Sequence, residues 1–359
     1  MLTRLLFILI ILAGPTARAQ QADRLVVVTL DGFRWQELFN GADSALLTDS
    51  KFTREKDEYI RKYWDPSPMV RRQKLMPFFW NVLAAQGQVH GNRRYGNLLN
   101  NANPHWFSYP GYNEIFTGYP DSMVNSNDKV WNPHINVLEF LQQQPDYRGS
   151  VAAFTSWDVF PFILNEERSG VYVNSGFEDI PMRVSAERDL IQRMQELTYR
   201  PLGDGVRPDL QTYLAAKYYL RTYQPKVLYI GFDETDDYAH GGRYDMYLQA
   251  AAMTDRMLAD LWAFLQADVN YRGRTALVIT TDHGRGDRIK EQWKDHGRKV
   301  SDAGQIWCFV AGPGVVPLGE LRTEATHFQS QLAATMAALL GLTFTANHPV
   351  AGPLPVTSK

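Results

Sequence analysis

The sequence is poor in cysteine: Cys308 is the one cysteine among 359 residues. A single cysteine cannot form a disulfide within the chain, so a hydrophobic core rather than cross-links must hold the fold together. The chain has material for such a core, because 45% of its residues are hydrophobic and 13% are aromatic. Cys308 itself lies in the apolar stretch IWCFVAGPG, which is typical of a buried strand.

The sequence also lacks an excess of charge of either sign. Lys and Arg number 37 and Asp and Glu number 39, so the formal net charge is −2. A chain this weakly charged does not attract the phosphate backbone of a nucleic acid, which argues against nucleic acid as a partner. Ser/Gly-rich linkers, charge blocks and repeats are absent too. We therefore expect residues 20–359 to form a single domain, whose oligomeric state the sequence leaves open.

The one long apolar run lies at the start of the chain. Arg4 precedes an unbroken apolar stretch from Leu5 to Ala13, and Ala17-Arg18-Ala19 then forms an A-x-A cleavage pattern. These features are typical of a secretory signal peptide, and the stretch is too short for a membrane span. We expect residues 1–19 to be removed on export, which makes the protein periplasmic or secreted. Because no second long apolar run follows, we expect no stable membrane insertion.

Strand and helix patterns alternate along the rest of the chain. Continuous apolar runs typical of strands buried on both faces cover residues 25–30, 150–154, 226–232, 275–281 and 306–311. Helical patterns cover residues 185–197, 209–223, 244–266 and 328–341. This alternation predicts an α/β fold, a three-layer αβα sandwich with a mostly parallel central sheet. In such sheets the functional site lies beyond the carboxyl ends of the strands.

Acidic and histidine side chains collect at those strand ends. In GFDETDDYAHGG, residues 231–242, Asp236 and His240 are four positions apart, which puts both on one face of a helix and suits a divalent cation. The alternative is a solvated acidic loop. In TTDHGRGDR, residues 280–288, Asp282 and His283 follow a strand and precede a glycine-rich turn, where they can converge on a common point.

Two further residues complete this set. Asp31 follows the first strand, and His296 precedes the strand at 306–311. Taken alone, Asp31 is a turn residue or a cap, and His296 is a surface histidine. Taken together, the six side chains divide into Asp236/His240/His296 and Asp31/Asp282/His283. Each set offers three ligands and leaves a position open, as catalytic metal sites require. Two such ions about 4 Å apart would stabilise the attacking and leaving oxygens of an in-line displacement.

Ser108 is the candidate nucleophile for this site. It lies in HWFSYPGYNEIFTG, residues 105–118, and the chain has no G-x-S-x-G sequence in which another serine would be activated. A neutral serine needs a base or a metal to lose its proton. Pro110 suits the first position of a short helix over PGYNEIF, which would place Ser108 at a helix N-terminus that favours anions. The arrangement suits a tetrahedral dianion such as phosphate.

The order of these residues resembles that of the alkaline phosphatase superfamily. The segment FSYPGYNEIFTGYPD, residues 107–121, is similar to the nucleophile segment of its nucleotide pyrophosphatase/phosphodiesterase branch. Arg168-Ser169-Gly170 followed by VYVNSG, and the closing stretch LAATMAALLGL at 332–342, are similar to other parts of that group. The resemblance extends over nearly the whole mature chain.

The resemblance implies a two-metal hydrolase of phosphoric esters that acts through a phosphoryl-serine intermediate on a small-molecule phosphate ester. It implies that Asp236, His240 and His296 hold one ion, and that the other is held by Asp31, Asp282, His283 and the Ser108 oxygen. Zn²⁺ is the expected metal, although Mn²⁺ or Mg²⁺ also suits such ligands. An asparagine after the nucleophile normally contacts the phosphoryl group, and we assign this role to Asn127, with Asn125 and Asn132 as alternatives.

The chain departs from the pattern of that branch at several positions. Serine replaces the usual threonine nucleophile, and Gly111 and Tyr112 replace a polar pair. No equivalent is evident of the Lys/Arg pair that some monoesterases use. Three aromatic residues, Phe107, Tyr109 and Trp157, could line a leaving-group pocket.

Three rival interpretations follow from the same residues. A sulfatase requires C/S-x-P-x-R, but Tyr112 stands where the arginine should be. A cofactor-independent phosphoglycerate mutase would carry a large second domain. A non-catalytic, metal-stabilised envelope binding protein would not need Ser108 and every metal ligand together. The sequence does not decide between monoesters and diesters.

Overall fold

A computed structural model describes residues 21–180 and 183–357. The predicted signal peptide, residues 1–19, lies outside the described residues. The strands, numbered along the chain, are β1 Arg24–Leu30, β2 Gly87–His90, β3 Asn97–Asn100, β4 Val151–Thr155, β5 Tyr172–Ser175, β6 Val227–Phe232, β7 Thr275–Thr280, β8 Gln305–Ile306, β9 Cys308–Ala311, β10 Gly319–Glu320 and β11 Ala325–Phe328.

The large sheet has eight strands in the order β10-β2-β9-β7-β1-β6-β4-β5. Neighbouring strands pair in parallel except at β9, which runs antiparallel to both β2 and β7. The predicted mostly parallel central sheet is therefore confirmed. All five apolar runs contribute strands to it, because their β-branched and apolar residues fit a surface that is covered on both faces.

The apolar run at 306–311 was expected to form one strand, and the structure divides it. Ile306 ends β8, which belongs to a three-stranded sheet of order β11-β3-β8, while β9 begins at Cys308 in the large sheet. Trp307 lies between the two strands, with its indole Nε1 donating to the carbonyl of Phe33 at 2.8 Å. Periodicity could not predict this division, because the residues on both sides are equally apolar.

The helices cover both faces of the large sheet. They are α1 Trp35–Asn40, α2 Ser44–Leu47, α3 Lys56–Tyr63, α4 Pro68–Leu75, α5 Pro77–Asn81, α6 Ser108–Thr117, α7 Val137–Gln143, α8 Phe160–Ile163, α9 Glu166–Ser169, α10 Ala186–Leu197, α11 Asp209–Tyr223, α12 Glu234–His240, α13 Tyr244–Ala267 and α14 Gln331–Leu339, with 3₁₀ turns at Leu83–Gln86, Arg93–Tyr95 and Lys290–Lys294. The last predicted helix, 328–341, begins three residues late because the residues before it pair as β11 with β3.

Two apolar clusters lie on opposite faces of the large sheet. Val26 and Val28 of β1 point into one cluster, together with side chains of α11 and α13. Leu25 and Val27 point into the other, together with side chains of α6 and α14. Fully burying each such side chain contributes roughly 1.5–3 kcal/mol to stability. The alternation along β1 shows that helices, sheet and helices form the three predicted layers.

Strand register brings several acidic residues to one edge of the sheet. Leu30 of β1 is level with Phe232 of β6, and Thr29 is level with Thr280 of β7. The residues that follow these strands include Asp31, Asp233 and Asp282. Because the three strands are parallel neighbours, their carboxyl ends meet at this edge. The sheet therefore collects the candidate site residues where they were expected.

Over the described ranges, no helix is both long enough and apolar enough to cross a lipid bilayer.

His90 provides a test of the packing around β2. Its side chain is 1% exposed, and neither ring nitrogen has a hydrogen-bond partner in the described part of the chain. Burial, together with the nearby ring of His327, lowers the pKa of His90 to about 3. An unfolded histidine has a pKa of about 6.5. Between these values the unfolded chain binds a proton that the folded chain does not, so stability falls as pH falls.

We expect the free energy of unfolding to lose up to about 1.4 kcal/mol per pH unit through His90 between pH ~6 and pH ~4. His90→Phe keeps a ring in the cavity and removes the titrating group. The free energy of unfolding of this variant should therefore fall less steeply with acid than that of the wild type, by up to about 1.4 kcal/mol per pH unit. Urea unfolding at several pH values measures the two slopes. His105→Phe, at a partly exposed histidine, is the matched control. If the free energy of unfolding changes equally with pH in the wild type and in His90→Phe, the lowered pKa of His90 is contradicted.

Candidate active site and metal centre

Asp31, Asp282 and His283 meet at the carboxyl edge of the large sheet. All three side chains are buried, with exposed fractions of 1% or less. The backbone N–H of Gly32 donates to Asp282 Oδ1 at 3.0 Å, and within residues 21–180 and 183–357 Asp282 Oδ2 has no hydrogen-bond partner. His283 Nε2 lies 3.4 Å from Asp31 Oδ1 and 3.4 Å from Asp282 Oδ2. Its other ring nitrogen, Nδ1, lies 2.9 Å from the carbonyl of Gly284, so Nε2 is directed at the carboxylates.

Helix α12 presents Asp236 and His240 to the same place. The two lie on one helix face, as their spacing predicts, with His240 Nε2 3.2 Å from Asp236 Oδ2. His296 follows the 3₁₀ turn at Lys290–Lys294, and its Nε2 lies 2.9 Å from His240 Nε2. Two imidazole nitrogens and a carboxylate therefore face one point from different segments.

Two groups of ligand atoms can each hold a cation. The outer group is Asp236, His240 and His296, and the inner group is Asp31, Asp236 and His283; within each group the ligand atoms lie within 4.8 Å of one another. Asp236 belongs to both groups, whereas the sequence assigned it to one. Asp282, which the sequence placed with Asp31 and His283, borders the inner group through His283 Nε2. The expected residues are thus together, and one carboxylate is shared.

Ser108 lies beside the inner group. Its Oγ is 3.4 Å from Asp31 Oδ1 and 3.4 Å from His283 Nε2. Ser108 is the first residue of α6, so the helix begins two residues earlier than Pro110, where it was expected to start. The reason is that Ser108 and Tyr109 already have helical geometry, with the Gly111 N–H donating to the Phe107 carbonyl at 3.0 Å. The serine therefore belongs to the first turn of the helix rather than preceding it.

Gly111 and Tyr112, which depart from the sequence pattern, both have a function in this geometry. A Cβ at Gly111 would lie 2.5 Å from the carbonyl oxygen of Asp282, so only glycine lets α6 approach the end of β7 this closely. Tyr112 is buried, and its hydroxyl donates to Asp31 Oδ2 at 3.0 Å. Sequence reasoning missed Tyr112 as a site residue. Its position four residues after Ser108, on the same helix face, was the available signal.

The pKa values of the site residues indicate that a further positive charge would stabilise the ionised carboxylates. Burial and the neighbouring charge of Asp236 hold the pKa of Asp31 well above its usual range. Burial and the charge of Asp31 raise the pKa of Asp282 in the same way. Burial alone would raise the pKa of Asp236 too, but Arg285 and His240 outweigh it and hold that pKa well below its usual range. Burial and His283 lower the pKa of His296 to about 2.

These observations fit divalent cations. Asp282 Oδ2 is buried and has no hydrogen-bond partner among the described residues, which is costly unless a cation lies beside it. A cation would favour the charged form of every carboxylate and the neutral form of every imidazole. The donor set of carboxylate oxygens and imidazole nitrogens suits zinc and also accommodates manganese or magnesium.

The three candidate asparagines lie in different surroundings. The side-chain Oδ1 of Asn127 accepts from the backbone N–H of Tyr109 at 3.0 Å, next to the serine. Asn132 is buried and donates to Asn113 Oδ1 at 3.0 Å, which is a structural contact. Asn125 lines a neighbouring cleft. Of the three, Asn127 makes a direct contact with the helical turn that carries Ser108, so it remains our prediction for the phosphoryl-binding residue.

An open cleft of about 400 Å³ lies next to this turn. It is lined by Tyr109, Asp121, Met123, Val124, Asn125, Ser126, Asp128, Val130, Trp131 and Pro133. Of the three aromatic residues expected to form a leaving-group pocket, Tyr109 lines the cleft. Phe107 and Trp157 instead contact His105 and Phe160, with ring centroids 5.9 and 6.2 Å apart. Trp131, which the sequence did not single out, supplies the second aromatic wall.

Comparison with solved structures shows the fold. The lipoteichoic acid synthase LtaP from Listeria monocytogenes is 14% identical, with a TM-score of 0.57 over 90% of this chain and 73% of that one. The alkaline phosphatase PafA is 11% identical, with a TM-score of 0.62 over 95% of this chain and 100% of that one. Murine ectonucleotide pyrophosphatase/phosphodiesterase 5, in complex with AMP, is 14% identical, with a TM-score of 0.50 over 92% and 97%.

Comparison of sequences shows the family. No curated protein sequence matches the chain. The sequence profile of the type I phosphodiesterase/nucleotide pyrophosphatase family matches residues 43–317, a stretch that holds Ser108 and the outer group and leaves Asp31 before it. The resemblance noted in the sequence is thereby confirmed, including the alkaline phosphatase-like fold. The chain belongs to the type I phosphodiesterase/nucleotide pyrophosphatase family.

Proposed function

We propose that this protein is an exported, metal-dependent hydrolase of small phosphoric esters in which Ser108 is the nucleophile. Family membership supports the phosphoester hydrolase class. The observation that carries the proposal is the place of the Ser108 hydroxyl, 3.4 Å from both Asp31 Oδ1 and His283 Nε2. A serine beside two candidate metal ligands is placed to lose its proton and attack, whereas an ordinary surface serine is not.

In this proposal the site residues have separate roles in an in-line displacement at phosphorus. Ser108 Oγ attacks phosphorus, the bond from phosphorus to the leaving oxygen breaks, and the alcohol departs with a proton. Water then attacks the phosphoryl-serine, which releases the phosphate product and returns the serine hydroxyl. Asp31, Asp236, Asp282 and the three histidines would hold two divalent cations, which would favour the serine alkoxide and stabilise charge on both oxygens. Tyr112 keeps Asp31 oriented through its 3.0 Å hydrogen bond.

Helix α6 and Asn127 bind the phosphoryl group in this proposal. The first turn of a helix presents backbone N–H groups that favour an anion. Because Asn127 Oδ1 accepts from the Tyr109 N–H, its amide nitrogen remains available to donate to a phosphoryl oxygen. We propose zinc as the metal, with manganese or magnesium as the alternatives, and the predicted signal peptide supports export.

The open cleft beside Tyr109 favours diesters over monoesters. A diester carries a second organic group, and the apolar side chains of Met123, Val130 and Trp131 could cover it. Burying one aromatic ring there would supply about 1.4 kcal/mol or more, which corresponds to about tenfold in kcat/KM. The sulfatase alternative lacks its arginine, because Tyr112 occupies that position and bonds Asp31.

We expect bis-p-nitrophenyl phosphate to be hydrolysed with a kcat/KM about tenfold or more above that for p-nitrophenyl phosphate, and p-nitrophenyl sulfate to be hydrolysed least. Initial rates on the three substrates, with and without EDTA, measure this order. EDTA should abolish activity and added Zn²⁺ should restore it. Preferred hydrolysis of the sulfate would support the sulfatase alternative, and activity that survives EDTA would refute metal dependence. Monoester preference would refute the role of the cleft.

A further inference from the structure

Arg285 is a fully buried arginine at the centre of the candidate site. It follows Asp282 and His283 by only a few residues, and its side chain is 0% exposed. Sequence reasoning did not single it out. A buried guanidinium must place its N–H groups on acceptors, and the choice of acceptors shows what the side chain holds together.

The acceptors of Arg285 lie on the three other segments that carry candidate carboxylate and imidazole ligands. Its Nε donates to the carbonyl of Gly32, next to Asp31, at 3.2 Å. Its Nη1 donates to the carbonyl of Lys294, two residues before His296, at 2.6 Å. Its Nη2 donates to the Asp236 carbonyl at 3.2 Å and forms an ion pair with Asp236 Oδ1. Arg285 belongs to the segment of Asp282 and His283. Its side chain therefore links that segment to the segments of Asp31, Asp236 and His296.

The backbone around Arg285 is shaped to admit it. A Cβ at Gly32, whose φ is +56°, would lie 2.9 Å from Arg285 Nε and 2.8 Å from Asp236 Oδ1. Any residue other than glycine at this position would push the guanidinium away from the carboxylate. The contact between Arg285 and Asp236 thus depends on glycine at position 32 as well as on the attraction of the two charges.

We propose that Arg285 is a positioning residue that assembles the two metal groups by fixing Asp236, the carboxylate they share. The inference rests on the proposed function. Residues that orient metal ligands from behind typically change metal affinity by 10- to 100-fold when they are replaced. The planar fork of arginine is required, because it contacts several acceptors at fixed angles, whereas a lysine ammonium offers one compact charge.

The experiment compares Arg285→Lys and Arg285→Met with the wild type and with Arg207→Lys. Arg207 is the matched control: it is also 0% exposed, and it donates to Thr212 and Asn174, which belong to neither group. The dissociation constant for Zn²⁺ is measured by competition with a chromophoric chelator, and folding is checked by circular dichroism. Steady-state kinetics on bis-p-nitrophenyl phosphate at limiting and at high Zn²⁺ give a second readout.

We expect the Zn²⁺ dissociation constant to rise by about 10- to 100-fold in Arg285→Met and by less in Arg285→Lys. The lost activity should recover in part as Zn²⁺ is raised, through kcat rather than KM, because the substrate contacts are untouched. Arg207→Lys should lower the unfolding midpoint in urea and leave the dissociation constant within twofold of the wild type. A structural role for Arg285 would instead make it behave like Arg207.

Unchanged Zn²⁺ affinity in Arg285→Lys and Arg285→Met, in a wild type that does bind Zn²⁺, overturns this inference and leaves the proposed function standing. If Arg285→Met does not fold, Arg285→Lys decides: affinity equal to the wild type overturns the inference, and weakened affinity supports it. A wild type that binds no Zn²⁺, Mn²⁺ or Mg²⁺ overturns the proposed function itself.

Discussion

Ser108→Ala is expected to abolish turnover while leaving the metal content near two ions per chain. The reason is that the hydroxyl is the group that bonds phosphorus. The Ser108 oxygen was also predicted to contact one ion, but carboxylates and imidazoles on other segments supply the remaining ligands and should retain it. Removing a nucleophile lowers kcat by about 10³-fold or more. The fold should persist, because the two contacts of Ser108 Oγ are long at 3.4 Å and alanine suits the first turn of a helix.

Two companion variants make this result specific to Ser108. Ser108→Thr keeps a hydroxyl at the same place and should retain measurable activity. Ser126→Ala removes a hydroxyl from the neighbouring cleft, where its Oγ accepts from the Asp128 N–H, and should stay within about threefold of the wild type. Initial rates on bis-p-nitrophenyl phosphate and metal analysis by mass spectrometry give both quantities. Activity like that of the wild type in Ser108→Ala would end the assignment of the nucleophile.

Asp236→Asn is expected to remove metal from both groups, so that the metal content falls from about two ions toward zero and activity is lost. The structure places Asp236 in the outer and the inner group, with Oδ2 3.2 Å from His240 Nε2 and Oδ1 3.7 Å from His283 Nε2. An amide has the same size but lacks the charge that binds a divalent cation. Because the Asn oxygen can still accept from Arg285, the fold should survive.

Two further variants, His296→Ala and Asp237→Asn, provide reference values for the metal content of Asp236→Asn. His296 belongs to the outer group alone, so its loss should leave about one ion per chain. Asp237 is the next carboxylate on α12 and belongs to neither group, so Asp237→Asn should keep about two ions. Metal analysis of the purified proteins gives the counts. An Asp236→Asn protein with a full complement of metal would refute the shared ligand, and an unchanged count in His296→Ala would remove His296 from the ligand set.

Local patterns predicted much of the fold. Four predicted strands agree with the structure to within one residue at each end: 25–30, 150–154, 226–232 and 275–281. Short, continuously apolar segments in an α/β domain are typically strands that helices cover on both faces. The helix at 209–223 has the predicted bounds. The single-domain organisation, the signal peptide and the export that it implies stay predictions.

Features that depend on neighbouring strands were not predictable from local patterns. The direction of β9 is one example, since an apolar strand looks the same in either direction and only its partners β2 and β7 select one. The start of α6 also differs from the prediction. Proline at 110 suggested the first helical position, yet the helix begins at Ser108, with the Gly111 N–H donating to the Phe107 carbonyl.

The amino-acid sequence by itself determined which chemistry is available: a hydroxyl at Ser108, the four-residue spacing of Asp236 and His240, and acidic residues directly after buried strands. These are properties of residue type and spacing, which short-range geometry converts into a prediction. The tertiary structure decided that Asp236 is shared, that Tyr112 bonds Asp31, and that Arg285 links four segments. Such relations join residues up to about 250 positions apart, so they exist only once the sheet has fixed the distances between its strand ends.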